Sequence, residues 1–578
     1  MTHDTGANYS TLTEMIQYWA ARKPQSPCHV SLDDDGVPLT TLSYRDLDRR
    51  ARAVAARLQA IKPGRGRMLI VGLSGPEFLA AYFGCLYAGR VAVPIVCPTI
   101  DNIDQVDAIL DHVVADADAD CALVGSALVA LMKTIGARLS ALSRVPMIEV
   151  TSGLTDTGDD CRDVAVSPRS IAHIIYTSGS TGPSKGVVLD HHAVLHNLRY
   201  TSERWEYGVG DTHLTFGAPF HSAGLMVGYL MPIFAGGVSY SVRPEAFTAD
   251  PLRFLSLIDV LRIRHTAFGD STVDRFIHVL REGGGQGLNL TSWRTAVIGG
   301  EPLQHETLSI FEGLTKPLGF AANRVVTAYG MTEAAGLIAM GTKGAQPTVL
   351  DIDLVALSHG RAKQISRHAR TARAVISCGR ASHDVRLAIV DPEHSVEVPD
   401  SIVGELCYSS PSLFSGYLGH PSTDFVSFRD LGDEERSGYF RSGDLAFTSG
   451  GEVFVLGRSK EAIRLDGMIY FPLDIELCVA GAHPALAGAP CMAFEASRGG
   501  ARLVVCLETA SSHDFQHSVI GKMVMENIQA RFGIGNIDIV YVRPGGLPRV
   551  HTSAKKPRLK CRQQFISGEL RTPEEAIG

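Results

Sequence analysis

The chain has 578 residues, of which 45% are hydrophobic and 20% charged, and its formal net charge is −7. This apolar content excludes a disordered chain, and the slightly acidic balance gives no reason to expect nucleic-acid binding. A chain of this length holds several domain-sized units and can bury large cores without disulfides or structural metals.

In chain order, short apolar runs alternate with amphipathic stretches. Residues 44–60 are predicted to form a helix, 68–73 a buried strand, 77–88 a second helix and 91–96 another strand. This alternation predicts α/β layers with mostly parallel sheets. The glycine-rich stretch 283–287 is interpreted as a solvent loop.

Three features bear on location. Eleven cysteines are spread from Cys28 to Cys561 without a C-x-x-C pair, which predicts reduced thiols in a cytoplasmic protein and no zinc site. The N-terminal residues lack the pattern of a secretory signal. The uncharged run 222–242 contains Pro232 and two glycines, so we interpret it as a buried helix, a turn and a strand, and expect no membrane span.

The segment 358–373 carries five Arg or Lys residues and two His without an acid. Such a run is typical of a solvated surface helix or loop, and the alternative is a patch that docks a partner.

The strongest local signal is an apolar strand, 171–176, that runs into a loop of hydroxyl residues and glycines. Glycines let backbone N–H groups approach an anion, hydroxyls add donors and a lysine adds positive charge, so the loop predicts a phosphate cradle. It does not fit the Walker A pattern. The residues of this loop are Thr177, Ser178, Gly179, Ser180, Thr181 and Gly182, with Lys185 just beyond.

This T-S-G-S-T-G segment, followed by K-G, resembles the phosphate loop of the adenylate-forming (acyl-activating) superfamily. The resemblance implies an α/β fold that uses ATP and Mg²⁺. Its large N-terminal domain, residues 1–457, would contain layered α/β subdomains with parallel-rich sheets and a distorted β-barrel-like subdomain. A small mobile α+β domain, residues 458–578, would follow.

A second motif, Y-G-M-T-E, matches the family pattern Y-G-x-T-E. The resemblance implies that Tyr329 stacks on adenine, Thr332 contacts the α-phosphate and Glu333 helps hold Mg²⁺, a hard cation that prefers carboxylate oxygen. An upstream G-G-E-P segment resembles the one whose backbone borders the adenine. These two motifs contain Gly300, Glu301, Pro302, Tyr329, Gly330, Met331, Thr332 and Glu333.

The later motifs follow in family order. Y-F-R-S-G-D-L implies that Asp444 binds the ribose hydroxyls, and G-R-S-K-E implies that Arg458 also reaches the ribose and that Lys460 is the hinge. In the last motif Lys555 is the expected catalytic lysine. This motif has one extra residue and an alanine in place of glycine, so Lys556 could occupy the position of the catalytic lysine instead. The competing interpretation of the segment is a basic tail.

Several segments resemble the fatty acyl-AMP ligases more than other branches, among them G-C-L-Y-A-G at 84–89 and Y-F-P-L-D-I-E at 470–476. Extra chain at about 341–376 matches the insertion of that branch, which packs between the domains and disfavours free coenzyme A. The implied partners are a carboxylic acid and a phosphopantetheinylated acyl carrier protein. The basic run 361–373 is a candidate surface for that carrier.

The match is weaker at the acyl pocket. His221 and Gly224 fit the branch pattern, and His221 is either catalytic or a core histidine. Ser222, Gly269 and Asp270 are small or polar where a long alkyl chain would need apolar walls, so we expect a short, polar or unusual acid.

Three alternatives remain at this point. An acyl-CoA synthetase would share the first step and use free coenzyme A. A non-catalytic homologue would bind a nucleotide or an acyl group without turnover. An amino-acid-activating domain would use an acid for the amine, for which Asp270 is a loose candidate.

Overall fold

The computed structural model describes residues 9–61, 66–98, 102–135, 139–151, 160–177, 184–420, 424–497, 501–509, 514–549 and 556–570. Elements are labelled in chain order. The α-helices of the described residues are α1 (Leu12–Arg22), α2 (Tyr44–Gln59), α3 (Gly75–Tyr87), α4 (Ile103–Ala117), α5 (Ser126–Ile135), α6 (His191–Trp205), α7 (Met231–Phe234), α8 (Pro244–Ala249), α9 (Pro251–Val260), α10 (Asp270–Arg281), α11 (His305–Thr315), α12 (Leu354–Ser358), α13 (Pro472–Ala480), α14 (Asp514–Phe532) and α15 (Arg558–Ser567).

The strands of the first half are β1 (Pro27–Leu32), β2 (Pro38–Ser43), β3 (Arg67–Val71), β4 (Val91–Ile95), β5 (Cys121–Val124), β6 (Met147–Glu149), β7 (Ile171–Thr177), β8 (Lys185–Asp190), β9 (Thr212–Thr215), β10 (Val238–Ser241), β11 (His265–Phe268), β12 (Thr295–Gly299), β13 (Val325–Met331) and β14 (Gly336–Met340). Those of the second half are β15 (Val349–Asp353), β16 (Ala372–Ile376), β17 (Arg380–Ala381), β18 (Arg386–Asp391), β19 (Val396–Glu397), β20 (Gly404–Ser409), β21 (Gly416–Tyr417), β22 (Phe425–Arg429), β23 (Glu435–Ser449), β24 (Glu452–Arg458), β25 (Ile463–Leu465), β26 (Met468–Tyr470), β27 (Cys491–Ser497), β28 (Ala501–Glu508) and β29 (Ile537–Val542).

Two large sheets form the first part of the molecule. In the described residues one sheet runs in the order β21-β8-β7-β4-β3-β5-β6 and the other in the order β17-β14-β13-β12-β11-β9-β10-β1-β2. The central strands of both sheets pair in parallel, as in β3 with β4 and β12 with β13. Antiparallel strands lie at the edges, which confirms the parallel-rich layers predicted from the sequence.

Helix α3 lies between the two sheets. Twelve of its thirteen residues are buried, and a helix that is apolar on all sides must be covered on all sides. It contacts β3 and β4 of one sheet and β1 and β2 of the other. A single large core therefore joins both sheets, with residues such as Ile70 and Val326 in one cluster.

A smaller, mostly antiparallel sheet closes on itself, with one parallel pairing between β19 and β22. Strands β18, β19, β22 and β23 are successive neighbours, and β20 pairs with both β18 and β23. This ring is the distorted barrel that the resemblance implied. Strand β24 pairs with β23 outside the ring and leads into the last part of the chain.

The last part of the chain is α+β. Strands β27, β28 and β29 form a sheet, antiparallel and then parallel, and α13 and α15 pack against β27. The hairpin β15–β16 with α12 comes from the expected insertion. Its residues Ile352 and Leu357 share a core cluster with Ile475 and Ile528 of the C-terminal part, so the insertion packs against that part.

The element predictions hold closely. The predicted helices 44–60 and 77–88 are α2 and α3, and the strands 68–73 and 91–96 are β3 and β4. The run 222–242 folds as a π-helix (Gly224–Leu230), the short α7, a turn and β10. Among the helices of the described ranges, none combines the length and the apolar character needed to cross a membrane.

Candidate active site

Three predicted nucleotide-binding residues lie together. Tyr329 ends the parallel part of β13, while Asp444 and Arg458 are cross-strand partners on β23 and β24. The Tyr329 hydroxyl donates to Asp444 Oδ2 over 2.5 Å, and Arg458 Nε lies 3.0 Å from Asp444 Oδ1. Residues 115 positions apart are thus joined at the carboxyl end of a parallel sheet, where α/β folds bind their ligands.

The electrostatics of this cluster suit a polar ligand. Asp444 is 5% exposed, and its backbone N–H donates to Ser442 Oγ over 3.0 Å. Burial, and then the Asp444 carboxylate, raise the pKa of the Tyr329 hydroxyl, so this group stays protonated and donates. An ionised carboxylate held in this way can accept hydrogen bonds from two vicinal hydroxyls.

Glu333 follows β13 in a short 3₁₀ turn that begins at Thr332. Its side chain is 8% exposed, and Oε1 accepts a hydrogen bond of 2.8 Å from the Tyr417 hydroxyl. The ring of Tyr417 also lies 4.7 Å from Lys185 Nζ. Tyr417 therefore bridges a buried carboxylate and the lysine beyond the predicted phosphate loop.

The ends of the phosphate loop are held by a hairpin. Thr177 on β7 pairs with Lys185 on β8, and the Thr177 hydroxyl donates to the Lys185 carbonyl over 3.5 Å. The other predicted residues of this loop lie outside the described residues: Ser178, Gly179, Ser180, Thr181 and Gly182. Their roles stay predictions.

The predicted adenine segment follows β12. A Cβ at Gly299 would come 2.4 Å from the Ala328 carbonyl, and Gly300 has φ +79°, so this turn requires glycine. Glu301 turns away to cap α10, where Ser271 N donates to its carboxylate over 2.9 Å. Its side chain has a structural partner, which leaves the backbone of the segment, together with exposed Pro302, to border a base.

The predicted acyl pocket comes from two segments. His221 and Ser222 lead into the π-helix, and a Cβ at Gly224 would lie 2.1 Å from the Ala218 carbonyl, so only glycine fits there. At the start of α10, a Cβ at Gly269 would lie 2.8 Å from the Glu301 carboxylate. π-Helices are frequent at functional sites, because the extra residue changes the direction of side chains.

Asp270 is the unusual group of this region. It is 4% exposed, and within the described residues its Oδ1 has no hydrogen-bond partner. Burial, and then the neighbouring Asp274, raise the pKa of the Asp270 carboxyl to about 7. The side chain is therefore partly protonated near neutral pH.

The C-terminal motifs meet in a buried ion network. Glu476 is 3% exposed and accepts hydrogen bonds of 2.7 Å from both Lys556 Nζ and Arg558 Nε. Arg558 also donates to Glu461, the residue after the exposed Lys460, over 2.8 Å. Burial opposes ionisation of Glu476, but Arg558 and Lys556 hold its pKa below the usual range.

Lys555, the predicted catalytic lysine, lies outside the described residues. Lys556 has a structural partner in Glu476 and a second in the Cys491 carbonyl, 3.1 Å away. This ion network therefore favours the alignment in which Lys556 has a structural role and Lys555 is the candidate catalytic lysine.

One expectation for the basic run was wrong. Arg373, its last member, is not solvated: its Nε lies 2.8 Å from Asp474 Oδ1, and the two side chains are 11% and 7% exposed. Its guanidinium also lies 5.4 Å from the Phe471 ring centroid. Arg373 anchors the insertion to α13, because a buried carboxylate needs a cationic partner. The run 361–370 is largely exposed, as expected.

Glu333 fits a Mg²⁺ ligand. Tyr417 orients one of its oxygens, and the other accepts no hydrogen bond from the described residues. The described residues contain no group of three or more His, Cys, Asp or Glu that could hold a metal. A Mg²⁺ at Glu333 would therefore take most of its ligands from phosphates and water, as is usual for this ion.

The sequence motifs did not reveal Tyr417, Glu461, Glu476 or Arg558 as parts of the site. Tyr417 meets Glu333 from 84 positions away, and Arg558 meets Glu461 from 97 positions away. No local pattern reports such pairs. Glu476 stands in the Y-F-P-L-D-I-E segment, and the available signal was the presence of two acids, Asp474 and Glu476, among the apolar residues of α13.

Comparison with known proteins agrees with this geometry. Residues 16–418 match the family model described as AMP-binding enzyme, and residues 460–575 match one described as Disco-interacting protein 2-like, AMP domain. The first match spans more than half of the chain. The chain therefore belongs to the AMP-binding family of adenylate-forming enzymes, which confirms the resemblance drawn from its motifs.

Several relatives are fatty acid ligases. The chain is 30% identical over 570 residues to the medium-chain-fatty-acid–[acyl-carrier-protein] ligase JamA of Moorena producens, covering 97% of this chain and 96% of JamA. It is 26% identical to the long-chain-fatty-acid–AMP ligase FadD32 of Mycolicibacterium smegmatis, over 98% and 96% of the two chains.

Solved structures show the same architecture. A structure from a study of fatty acyl-adenylate ligases of E. coli and L. pneumophila superposes with a TM-score of 0.84, at 25% identity over 97% of this chain and 99% of the other. The L. pneumophila ligase in complex with acyl adenylate and pyrophosphate gives a TM-score of 0.73, at 26% identity over 97% and 96%.

Proposed function

We propose that this enzyme activates a fatty acid with ATP to give an acyl-adenylate and pyrophosphate. The phosphopantetheine thiol of an acyl carrier protein then attacks the acyl carbonyl, the bond from the acyl carbon to the phosphate oxygen breaks, and AMP leaves. The observation that carries the proposal is that two polar clusters lie side by side at the end of β13. Tyr329, Asp444 and Arg458 suit the nucleoside, while Glu333, Tyr417 and Lys185 suit the phosphates.

The first step balances as an in-line displacement. A carboxylate oxygen of the acid attacks the α-phosphorus, and the bond from this phosphorus to the bridging oxygen breaks as pyrophosphate leaves with the electron pair. Lys185 and the loop 177–182 stabilise the leaving phosphates, and Lys555 and Thr332 stabilise the charge around the α-phosphate. When bound, Mg²⁺ supplies further positive charge, and Glu333 holds it. Catalysis of this kind depends on positioning and electrostatics.

We propose that the acid enters beside His221, Ser222 and Gly224, with Gly269 and Asp270 at the second wall. A small or polar wall favours shorter or functionalised acids, since each buried CH₂ is worth about 0.8 kcal/mol. JamA, which is named as a ligase of medium-chain fatty acids, supports the shorter end of this range. His221 is proposed to contact the acid rather than to serve only in packing.

The packing of the insertion supports a carrier protein, rather than free coenzyme A, as the acceptor of the acyl group. Residues of β15, β16 and α12 share a core with the C-terminal part, and Arg373 pairs with Asp474. Such packing supports the branch in which free coenzyme A is disfavoured. We propose a division into residues 1–457 and 458–578 with a hinge at Lys460. The proposed boundary lies in the gap between the two family matches, and Lys460 is the first residue of the second match.

We place the reaction in the cytoplasm. All eleven cysteines are free thiols in the structure, and a reducing compartment keeps them so. The acid and the carrier are the expected partners, and neither nucleic acid nor a membrane is required.

ATP-dependent pyrophosphate release, measured across acids from acetate to palmitate with hydroxy, unsaturated and amino acids included, tests the first step. We expect release with a defined set of fatty acids and none when acid is omitted. Asp444→Asn should weaken ATP binding, and Asp433→Asn, an exposed turn aspartate, is the matched control. Pyrophosphate release with none of these acids, together with retained ATP binding, would support a non-catalytic homologue instead.

A further inference from the structure

Glu333 is held by a nine-residue segment, here called the strap, that comprises residues 410–418. The Phe414 backbone N–H donates to the Glu333 carbonyl over 2.8 Å, and the Tyr417 hydroxyl donates to its carboxylate. The strap then runs along β8, where Gly416 pairs with Val188. The position of the strap therefore sets the position of the carboxylate.

The beginning of the strap is fixed by α6, the helix that follows β8. Ser412 Oγ lies 2.6 Å from His196 Nδ1, and His196 Nε2 lies 2.5 Å from Asp384 Oδ2. The ring of His192, one turn earlier, stacks on that of His196 with a centroid distance of 6.2 Å. His196 on α6 thus holds the beginning of the strap.

The same helix holds the turn that contains Glu333. Asn197 donates from Nδ2 to the carbonyls of Ala334 and Leu337, over 3.1 Å and 2.8 Å, and accepts from the Leu337 N–H over 3.2 Å. Neighbouring residues of α6 therefore hold Glu333 through its own turn and through the strap.

The order Ser412–His196–Asp384 is that of a hydrolase triad, but the geometry here serves a different purpose. Ser412 is 2% exposed, so its hydroxyl has no access to a substrate. A carboxylate at Nε2 fixes the tautomer that donates there, which leaves Nδ1 to accept the serine proton. The three side chains therefore form a continuous hydrogen-bonded chain that tethers the strap to α6.

We propose that His196 is a positioning residue for the metal-binding carboxylate: through Ser412 and the strap it sets Tyr417, and through Tyr417 it orients Glu333 toward Mg²⁺. The proposal rests on the function proposed above, in which Glu333 holds this ion. Hydrogen-bond partners behind a metal ligand typically contribute 10–100-fold to metal affinity, which gives the expected size of the effect.

The test is equilibrium binding of ATP by calorimetry, without acid, in Mg²⁺ and in EDTA. His196→Ala should weaken binding of Mg·ATP by about tenfold and binding of ATP in EDTA by less than about twofold. Tyr417→Phe should show the same selective loss. His196→Gln, which keeps an amide donor for Asp384, should recover part of the Mg²⁺-dependent affinity.

The matched control is His265→Asn, because His265 is also a buried histidine bonded to an aspartate, Asp211, at 3.1 Å. This substitution should lower Tm without a selective loss of affinity for Mg·ATP.

The positioning role is wrong if His196→Ala weakens ATP binding equally in Mg²⁺ and in EDTA. It is also wrong if Tyr417→Phe weakens binding of Mg·ATP and His196→Ala does not. If His196→Ala does not fold, Ser412→Ala removes one atom of the same tether and decides in the same way. Wild-type protein that binds ATP equally with and without Mg²⁺ would instead overturn the metal role of Glu333.

Discussion

Two adjacent lysines near the C-terminus are candidates for the catalytic lysine. Lys556 is paired with the buried Glu476, whereas Lys555 matches the catalytic lysine of the family motif. The sequence left the two registers open, and the ion pair supplies the physical reason to prefer one. A Lys556 that moved to a substrate would give up its contact with Glu476 and leave this buried carboxylate with Arg558 as its cationic partner.

Lys555→Ala should lower the rate of adenylation by at least about 10²–10³-fold, the usual effect of removing one preorganised donor. Lys556→Met should lower it by less than about tenfold and act mainly on stability, because Arg558 still pairs with Glu476. Pyrophosphate release and Tm, measured on both variants, separate the two roles. The reverse pattern would show that Lys556 is the catalytic lysine.

The buried Asp270 carboxyl should make the stability of the protein depend on pH. Its pKa is about 7 in the folded chain and about 4 in the unfolded chain, so between these values only the folded state keeps the proton. Its contribution to stability is therefore present at low pH and lost as the pH rises through 7. Tm of Asp270→Asn relative to wild type should increase from pH 5 to pH 8. A constant difference would mean that Asp270 is ionised throughout.

A buried ion pair helps to hold the insertion against α13, in addition to the shared hydrophobic core. Arg373 comes from β16 and Asp474 from α13, and both are nearly covered. Removing one partner of such a pair leaves an uncompensated charge, which typically costs about 3–5 kcal/mol.

Arg373→Ala should therefore lower the free energy of unfolding by about 3–5 kcal/mol in denaturant titrations. Arg370→Ala, three residues earlier on an exposed position, should change it by less than about 0.5 kcal/mol. Equal effects of the two substitutions would contradict the anchoring role of Arg373.

Local patterns predicted several elements and singled out the motif residues. Amphipathic stretches predicted α2 and α3, short apolar runs predicted β3 and β4, and the Y-G-M-T-E segment pointed to Tyr329 and Glu333. The parts that the sequence did not reveal join distant residues. His196 meets Ser412 from 216 positions away and Asp384 from 188, and no window of sequence contains both ends of such a bond. The burial of Arg373 depends in the same way on α13.

The molecule as a whole buries several histidines as neutral groups. Burial lowers the pKa of His29, His173 and His213 to about 3, and that of His191 to about 4. In the unfolded chain each would take up a proton near pH 6.5. Their contribution to stability is therefore complete above pH 6.5 and is lost as the pH falls toward 4.

The free energy of unfolding should fall steeply between pH 6.5 and about pH 4.5, with each such histidine adding about 1.4 kcal/mol per pH unit. His213→Phe should reduce this slope by about one proton, since His213 is fully buried against Trp205 and its ring nitrogens have no hydrogen-bond partner among the described residues. His278→Ala, at an exposed position on α10, should leave the slope unchanged. A slope that is the same in wild type and His213→Phe would show that His213 titrates normally.

The complete reaction, ATP-dependent transfer of an acyl group to a carrier protein, is tested most directly by one competition assay. The enzyme, ATP, Mg²⁺ and the acid that gives most pyrophosphate are incubated with coenzyme A and a phosphopantetheinylated carrier protein together, and both acyl thioesters are measured by mass spectrometry. We predict acyl-carrier as the product, with little acyl-CoA, and no thioester when ATP is omitted. Acyl-CoA as the main product would contradict the account and identify the enzyme as an acyl-CoA synthetase.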